Sequence, residues 1–277
     1  MTDVGLFGPD TVTWKVNREA VLLAGGGRAL LLQVAHPSVA AGVVQHSNYD
    51  TDPWGRLYRT LDLVTRMTFG KTETCDRAAA QLKRAHGPVK GERADGVAYR
   101  AWDPDLLLWV WATLVESAVL VYTRYVAPLP ARELAAYYSE QQRFAVMCGV
   151  PEGHWPSTWP RFMTWFDEWV QEECTVTDDS RAIADSILDP RMPRPLKPAA
   201  RPALELLKLA TVGLTPAVLR ERYGFSWGPR RERVLGASTA AVRRTLPLLP
   251  SLLREFPPAR AAARRVDRGE RRVPAAA

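Results

Sequence analysis

Residues 103–126 read DPDLLLWVWATLVESAVLVYTRYV, and this stretch decides the fold. Asp103 followed by Pro104 has the form of a helix N-cap and first helical position, where proline's missing N–H is no loss and its fixed φ is already helical. From Leu106 to Tyr122 the chain is apolar on almost every side, interrupted by Glu116 and Ser117. A helix of that kind belongs at the centre of a protein, and the charge within and around it favours a core helix over a membrane span. Glu116 inside it needs a partner, most economically Arg56 or Arg59.

Working outward, Asp52-Pro53 is a second Asp-Pro helix start, opening WGRLYRTLDLVTRMTF with Leu57, Leu61, Val64 and Thr68 on one stripe. On an adjoining face Arg56, Arg59 and Thr60 stand at i, i+3 and i+4, a spacing that brings their side chains together. Arginines snorkelling to water and a threonine bonding back to its own helix would produce the same spacing. The next helix, Glu73 to His86, stops at Gly87-Pro88. His86 lies in its last turn, where the helix dipole raises an imidazole pKa if the ring faces water.

Upstream, a helix from Trp14 runs to the triple glycine Gly25–Gly27, which has neither phosphate-loop spacing and reads as a hinge or a point of close approach. Helix resumes over Arg28–Ala35, breaks at His36-Pro37, and continues over Ser38–Gln45 with Ser38 as cap. Downstream, a helix runs up to Gly149, and a Pro/Trp loop with an exposed His154 leads into a helix ending near Cys174. The five prolines of residues 189–202 read as an extended connection. Helices then follow over Ala203–Val212, Ala217–Tyr223 and, amphipathic, Arg230–Phe256.

Ala, Leu and Arg dominate the 277 residues and alternating strand patterns are nearly absent, so the fold class is all-α, a single-domain helical bundle. Residues 1–13 read as a flexible lead-in, 14–256 as the helical domain, and 257–277 as a basic, disordered tail. Much of the +7 net charge lies beyond Arg230. A solvated tail is the plain reading, and contact with an acidic membrane surface is the sharper one. No aromatic-interleaved basic groove is present, so nucleic acid is not an expected partner. Cys75, Cys148 and Cys174 form no CxxC pair, and the N-terminus has no secretory leader, which points to a reduced, cytoplasmic protein without disulfides or a cysteine zinc site.

Three of the four histidines, His36, His46 and His86, fall between Arg28 and Gly91, where a buried polar side chain must find a hydrogen bond or a metal. With Asp52 they could form a mononuclear non-haem iron site. A non-catalytic helical module holding a ligand in an apolar pocket is the third reading.

Five strings then accumulate: GGxRALLLQxAHPxVAxGVxxHS ending at Ser47, DPxGRLxRTL from Asp52, HxxVxG from His86, YxAxDPxLLLWVxATLVxS from Tyr99, and TPxxLRExYGxxW from Thr215. Together they resemble the oxygenase family that includes MpaB-type oxygenases and the latex-clearing proteins, or rubber oxygenases. The resemblance implies a globin-like helical core with one haem b and His86 as its iron ligand. It places Arg56, Arg59 and Thr60 on the oxygen-binding side, and gives His36 and His46 a role in shaping or supporting the cofactor pocket. It further implies O2 and a small or medium hydrophobic substrate, such as an isoprenoid, lipid or secondary metabolite, possible products being those of oxidative C=C cleavage. Two positions depart from the pattern. Arg59 replaces a lysine, and a guanidinium cannot deprotonate to ligate iron; Trp111 replaces a histidine found in many relatives.

Overall fold

The computed structural model describes residues 3–191 and 197–270. In chain order the helices are α1 Val12–Asn17, a 3-10 segment Ala20–Gly25, α2 Gly26–Ala35, α3 Pro37–His46, α4 Pro53–Phe69 and α5 Thr72–His86. A short antiparallel hairpin follows, β1 Lys90–Glu92 and β2 Ala98–Arg100, with Gly91 opposite Tyr99. Then come α6 Pro104–Tyr125, α7 Ala131–Met147, α8 Trp159–Glu172, α9 Asp178–Leu188, α10 Lys197–Leu214 and α11 Ala217–Tyr223. The chain closes with α12 Pro229–Thr245, a 3-10 turn Leu246–Leu248, α13 Ser251–Arg254 and α14 Pro257–Glu270. The fold is all-α.

Helix α6 is the axis. The Asp103 carboxylate accepts from the N–H groups of Asp105 and Leu106 at 3.0 and 3.4 Å, which starts the helix where the Asp-Pro pair predicts. Helices α1, α2, α7 and α12 pack around it. Its two central indoles are satisfied in different directions: Trp109 donates to the Leu32 carbonyl on α2 at 3.2 Å and Trp111 to the Gln141 carbonyl on α7 at 3.0 Å. Apolar residues all round this helix are thus used on all sides. Among the described residues α6 is the one unbroken helix long and apolar enough to cross a membrane, yet 67% of its apolar window is buried.

Glu116 does find an arginine, but it is Arg28 rather than Arg56 or Arg59. The Arg28 guanidinium bonds the Glu116 carboxylate, donates to Ser117 Oγ at 2.6 Å, and donates through Nε to the Leu214 carbonyl at 2.6 Å. Gly25 lets the start of α2 come close to α6, and Gly27 lets α2 come close to Thr211 on α10. A Cβ on Gly25 would come within 2.8 Å of Val121 Cγ2, and one on Gly27 within 2.3 Å of Thr211 Oγ1. With its carboxylate committed to Arg28, Glu116 holds helices together.

The segments at both ends depart from expectation. The lead-in is ordered where described: Phe7 is buried, Thr11 caps α1, and Glu140 accepts from the N–H groups of Val12 and Thr13 at 3.1 and 2.6 Å. Helix α1 then ends at Asn17, because Glu19 takes extended backbone to pair with Arg254. The expected tail is helical over Pro257–Glu270, since Ala259, Ala262 and Val266 form a narrow apolar seam, part of it packed with Trp14 and Phe69. Residues 271–277 lie outside the described residues. The single helix expected over Arg230–Phe256 is split, with Pro247 and Pro250 interrupting it. The proline-rich connection is helical from Lys197, and residues 192–196 lie outside the described residues.

Candidate functional site

Helices α4 and α5 form an antiparallel hairpin closed at Gly70-Lys71, so the start of α4 runs beside the end of α5. That topology puts Arg56 and His86 at the same open end. Asp52 sets the geometry of the first turn. Its Oδ1 accepts from Gly55 N–H at 2.9 Å and its Oδ2 accepts from Arg59 at 3.0 Å. A Cβ on Gly55 would lie 2.1 Å from Asp52 Oδ2, so any larger residue there would push the capping carboxylate aside.

The convergence expected of Arg56, Arg59 and Thr60 is only partial. Arg59 is exposed and turned to Asp52, and Thr60 Oγ1 donates to the Arg56 carbonyl at 3.0 Å, the back-bond that competes with any outward contact. Arg56 differs. It is partly buried, its guanidinium has no ion-pair or hydrogen-bond partner among the described residues, and its pKa is lowered by burial and then by the nearby Arg59 charge. An unpaired guanidinium in such surroundings is costly without an anion.

His86 ends α5 with its ring 5.9 Å from that of Trp102, edge to face. Its Nδ1 is buried without a hydrogen-bond partner among the described residues. Burial lowers its pKa, overriding the helix-dipole effect that an exposed ring would feel, and keeps the imidazole neutral near pH 7. Trp102 is held in turn by Gly149, whose φ of +95° and bare Cα leave room for the indole; a Cβ there would come within 2.1 Å of the ring.

His36 plays another part. Its Nδ1 accepts from Ser38 N–H at 3.2 Å, making it, rather than Ser38, the cap of α3. The lone pair on Nδ1 is therefore occupied and the proton resides on Nε2, which leaves neither nitrogen ready to ligate a metal. The ring stacks on Trp169 at 6.1 Å, and burial pushes its pKa down to about 4. Trp169 Nε1 is itself buried without a hydrogen-bond partner among the described residues. Sequence reading missed Trp169; the only signal was a tryptophan pair, Trp165 and Trp169, at i, i+4 on α8.

His46 is exposed at the end of α3, with Nε2 3.1 Å from the Lys90 carbonyl. Beside it Gln45 donates to the Glu92 carbonyl at 2.9 Å and accepts from the Tyr99 hydroxyl at 2.8 Å, so this end of α3 clamps the β-hairpin. His36, His46, His86 and Asp52 are not assembled as a metal site: among the described residues no three His, Cys, Asp or Glu side chains come together as one. Trp111 faces Tyr138, Trp155 and Phe162. His154 is exposed as expected and contacts Asp105 at 2.7 Å. A cleft of about 480 Å³ lined by residues including Asp185, Lys208, Phe225 and Arg231 shares no residue with this group.

The His36 geometry predicts a pH effect. A second proton must enter at Nδ1, against the Ser38 N–H, so the folded state resists it while the unfolded state accepts it near 6.5. Stability linked to this group is complete above pH 6.5 and is lost as pH falls toward 4, a change on the order of 3 kcal/mol at most. His36→Asn keeps a capping oxygen and removes the titration. Between pH 7 and 4 its unfolding free energy should fall less steeply than that of the wild type, and equal slopes would refute the assignment.

A family model described as "ER-bound oxygenase mpaB/B'/Rubber oxygenase, catalytic domain" matches residues 14–245. The uncharacterized proteins Mb2261 of Mycobacterium bovis and Rv2237 of Mycobacterium tuberculosis are each 28% identical to the chain over 216 residues, spanning 74% of this chain and 80% of theirs. No solved structure matches the chain at the same significance.

Proposed function

The chain belongs to the mpaB/rubber oxygenase catalytic-domain family and is an oxygenase, and from that premise we propose that it binds one haem b through His86 and uses O2 on a small or medium hydrophobic substrate. The observation that carries this reading is the His86 ring, a neutral imidazole with a buried Nδ1 that has no partner among the described residues. Haem, when bound, supplies the redox-active iron at which O2 is used.

The residues fit that group in charge as well as in valence. Arg56, partly buried and without a counter-ion among the described residues, offers N–H donors to an anionic group such as a propionate or to negative charge developing during oxygen chemistry. Thr60 can donate there only by releasing the Arg56 carbonyl, and Arg59 only by releasing Asp52. Arg59, as a guanidinium, binds and orients but does not ligate iron. His36 and His46 act through position, His36 by capping α3 and His46 by fixing the β-hairpin that leads to Trp102. The proposed substrate is an isoprenoid, a lipid or a secondary metabolite, with oxidative C=C cleavage as the reaction; the expected location is the cytoplasm.

The test is reconstitution of the purified chain with haemin. A Soret band saturating at one haem per chain is the expected result. No band after reconstitution, with iron still bound on metal analysis, would replace this reading with a non-haem site.

A further inference from the structure

Between α12 and α14 the chain runs LPLLPSLLREF, residues 246–256. Leu246 is buried, but Leu248, Leu249, Leu252 and Leu253 are 81, 39, 65 and 64% exposed. Single exposed leucines are ordinary, whereas four within six residues form a patch of the kind that marks an interaction surface.

The patch is held from behind. Arg254 donates from Nε and NH2 to Glu19 at 2.8 and 2.7 Å, with Glu19 fully buried, and Phe256 N–H donates to the Arg18 carbonyl at 2.8 Å. Its surroundings are cationic. Arg243 and Arg244 are exposed at the end of α12, Arg260 donates to the Leu252 carbonyl from the first turn of α14, and Arg264 and Arg268 follow along the exposed side of that helix. Over residues 243–268 the acidic residues are Glu255 and Asp267, and Glu255 is 3.6 Å from Arg18.

We propose that Leu248, Leu249, Leu252 and Leu253, with the arginines around them, form a docking surface for an anionic phospholipid bilayer. The leucines enter the boundary between headgroups and acyl chains, and the guanidiniums bind lipid phosphates. Charge complementarity selects this occupant. A second copy placed on the same patch would set arginine rim against arginine rim, whereas an anionic surface neutralises every arginine at once. The four leucines lie beyond residue 245, where the family match ends, and the surface does not depend on the His86 reading.

The experiment is co-sedimentation of the full chain with vesicles of phosphatidylcholine alone or mixed with phosphatidylglycerol. Binding to the mixed vesicles should be at least ~10-fold tighter than to phosphatidylcholine, and should weaken as salt rises. The variant L248S/L252S/L253S should lose at least ~10-fold in affinity at low salt, and R243A/R244A should lose affinity together with part of the salt dependence. All five side chains are exposed, so circular dichroism should match the wild type. Equal sedimentation with both vesicle types, or unaltered binding by the leucine variant, would overturn the proposal. So would a concentration-dependent dimer, seen by analytical ultracentrifugation, that the leucine variant dissolves.

Discussion

His86→Ala is expected to abolish the Soret band that haemin gives the wild-type chain, and added imidazole is expected to restore it. Among the described residues the side chain makes no hydrogen bond that its loss would break, and its ring contact is with Trp102. Removing it should therefore cost the haem-free fold about 1 kcal/mol, or about 3 °C in melting temperature. The ligand role and the structural role separate cleanly on that difference. A variant that keeps the band would move the iron ligand elsewhere, and a variant that melts far lower without imidazole rescue would make His86 a packing residue.

Breaking the Arg28–Glu116 pair should have the largest effect on stability. Glu116→Leu leaves the Arg28 guanidinium buried with Ser117 and the Leu214 carbonyl but no counter-charge, and Arg28→Leu leaves a buried carboxylate. Either change should cost about 3–5 kcal/mol and lower the melting temperature by on the order of 10 °C. The double variant R28L/E116L should lose clearly less than the two singles combined, because no charge is then left buried alone. Calorimetry on the four proteins measures this coupling. Additive losses would mean that the two groups are solvated independently and do not join α2 to α6.

Residue by residue, the helices were legible because their signals are local. Asp52 and Asp103 each start a helix by accepting from N–H groups two or three residues ahead, and each is followed by a proline that can only occupy the first turn. The apolar run from Leu106 announced a buried axis for the same reason that it could not serve as a surface. His86 was legible as a position, the last turn of α5, though its protonation was not. That depended on whether the ring faced water, and the packing that buries it lies partly in Trp102 and Gly149, far along the chain.

What only the tertiary structure decided is pairing at a distance. Glu116 required a cation, but several arginines satisfy that rule equally on paper; Gly25 admits the start of α2 to α6, and the choice falls on Arg28. Arg56, Arg59 and Thr60 share one spacing, yet Arg59 turns to Asp52, Thr60 to the helix backbone, and the Arg56 guanidinium to no partner among the described residues. The arginine-rich end hid a three-residue apolar seam whose complement, Trp14 and Phe69, comes from the first quarter of the chain. Helix starts, stops and buried faces follow from free energies that act within a few residues, and the sequence by itself determines them. The partner of a buried charge, and the ordering of a terminal segment, depend on surfaces that meet only when the chain has folded.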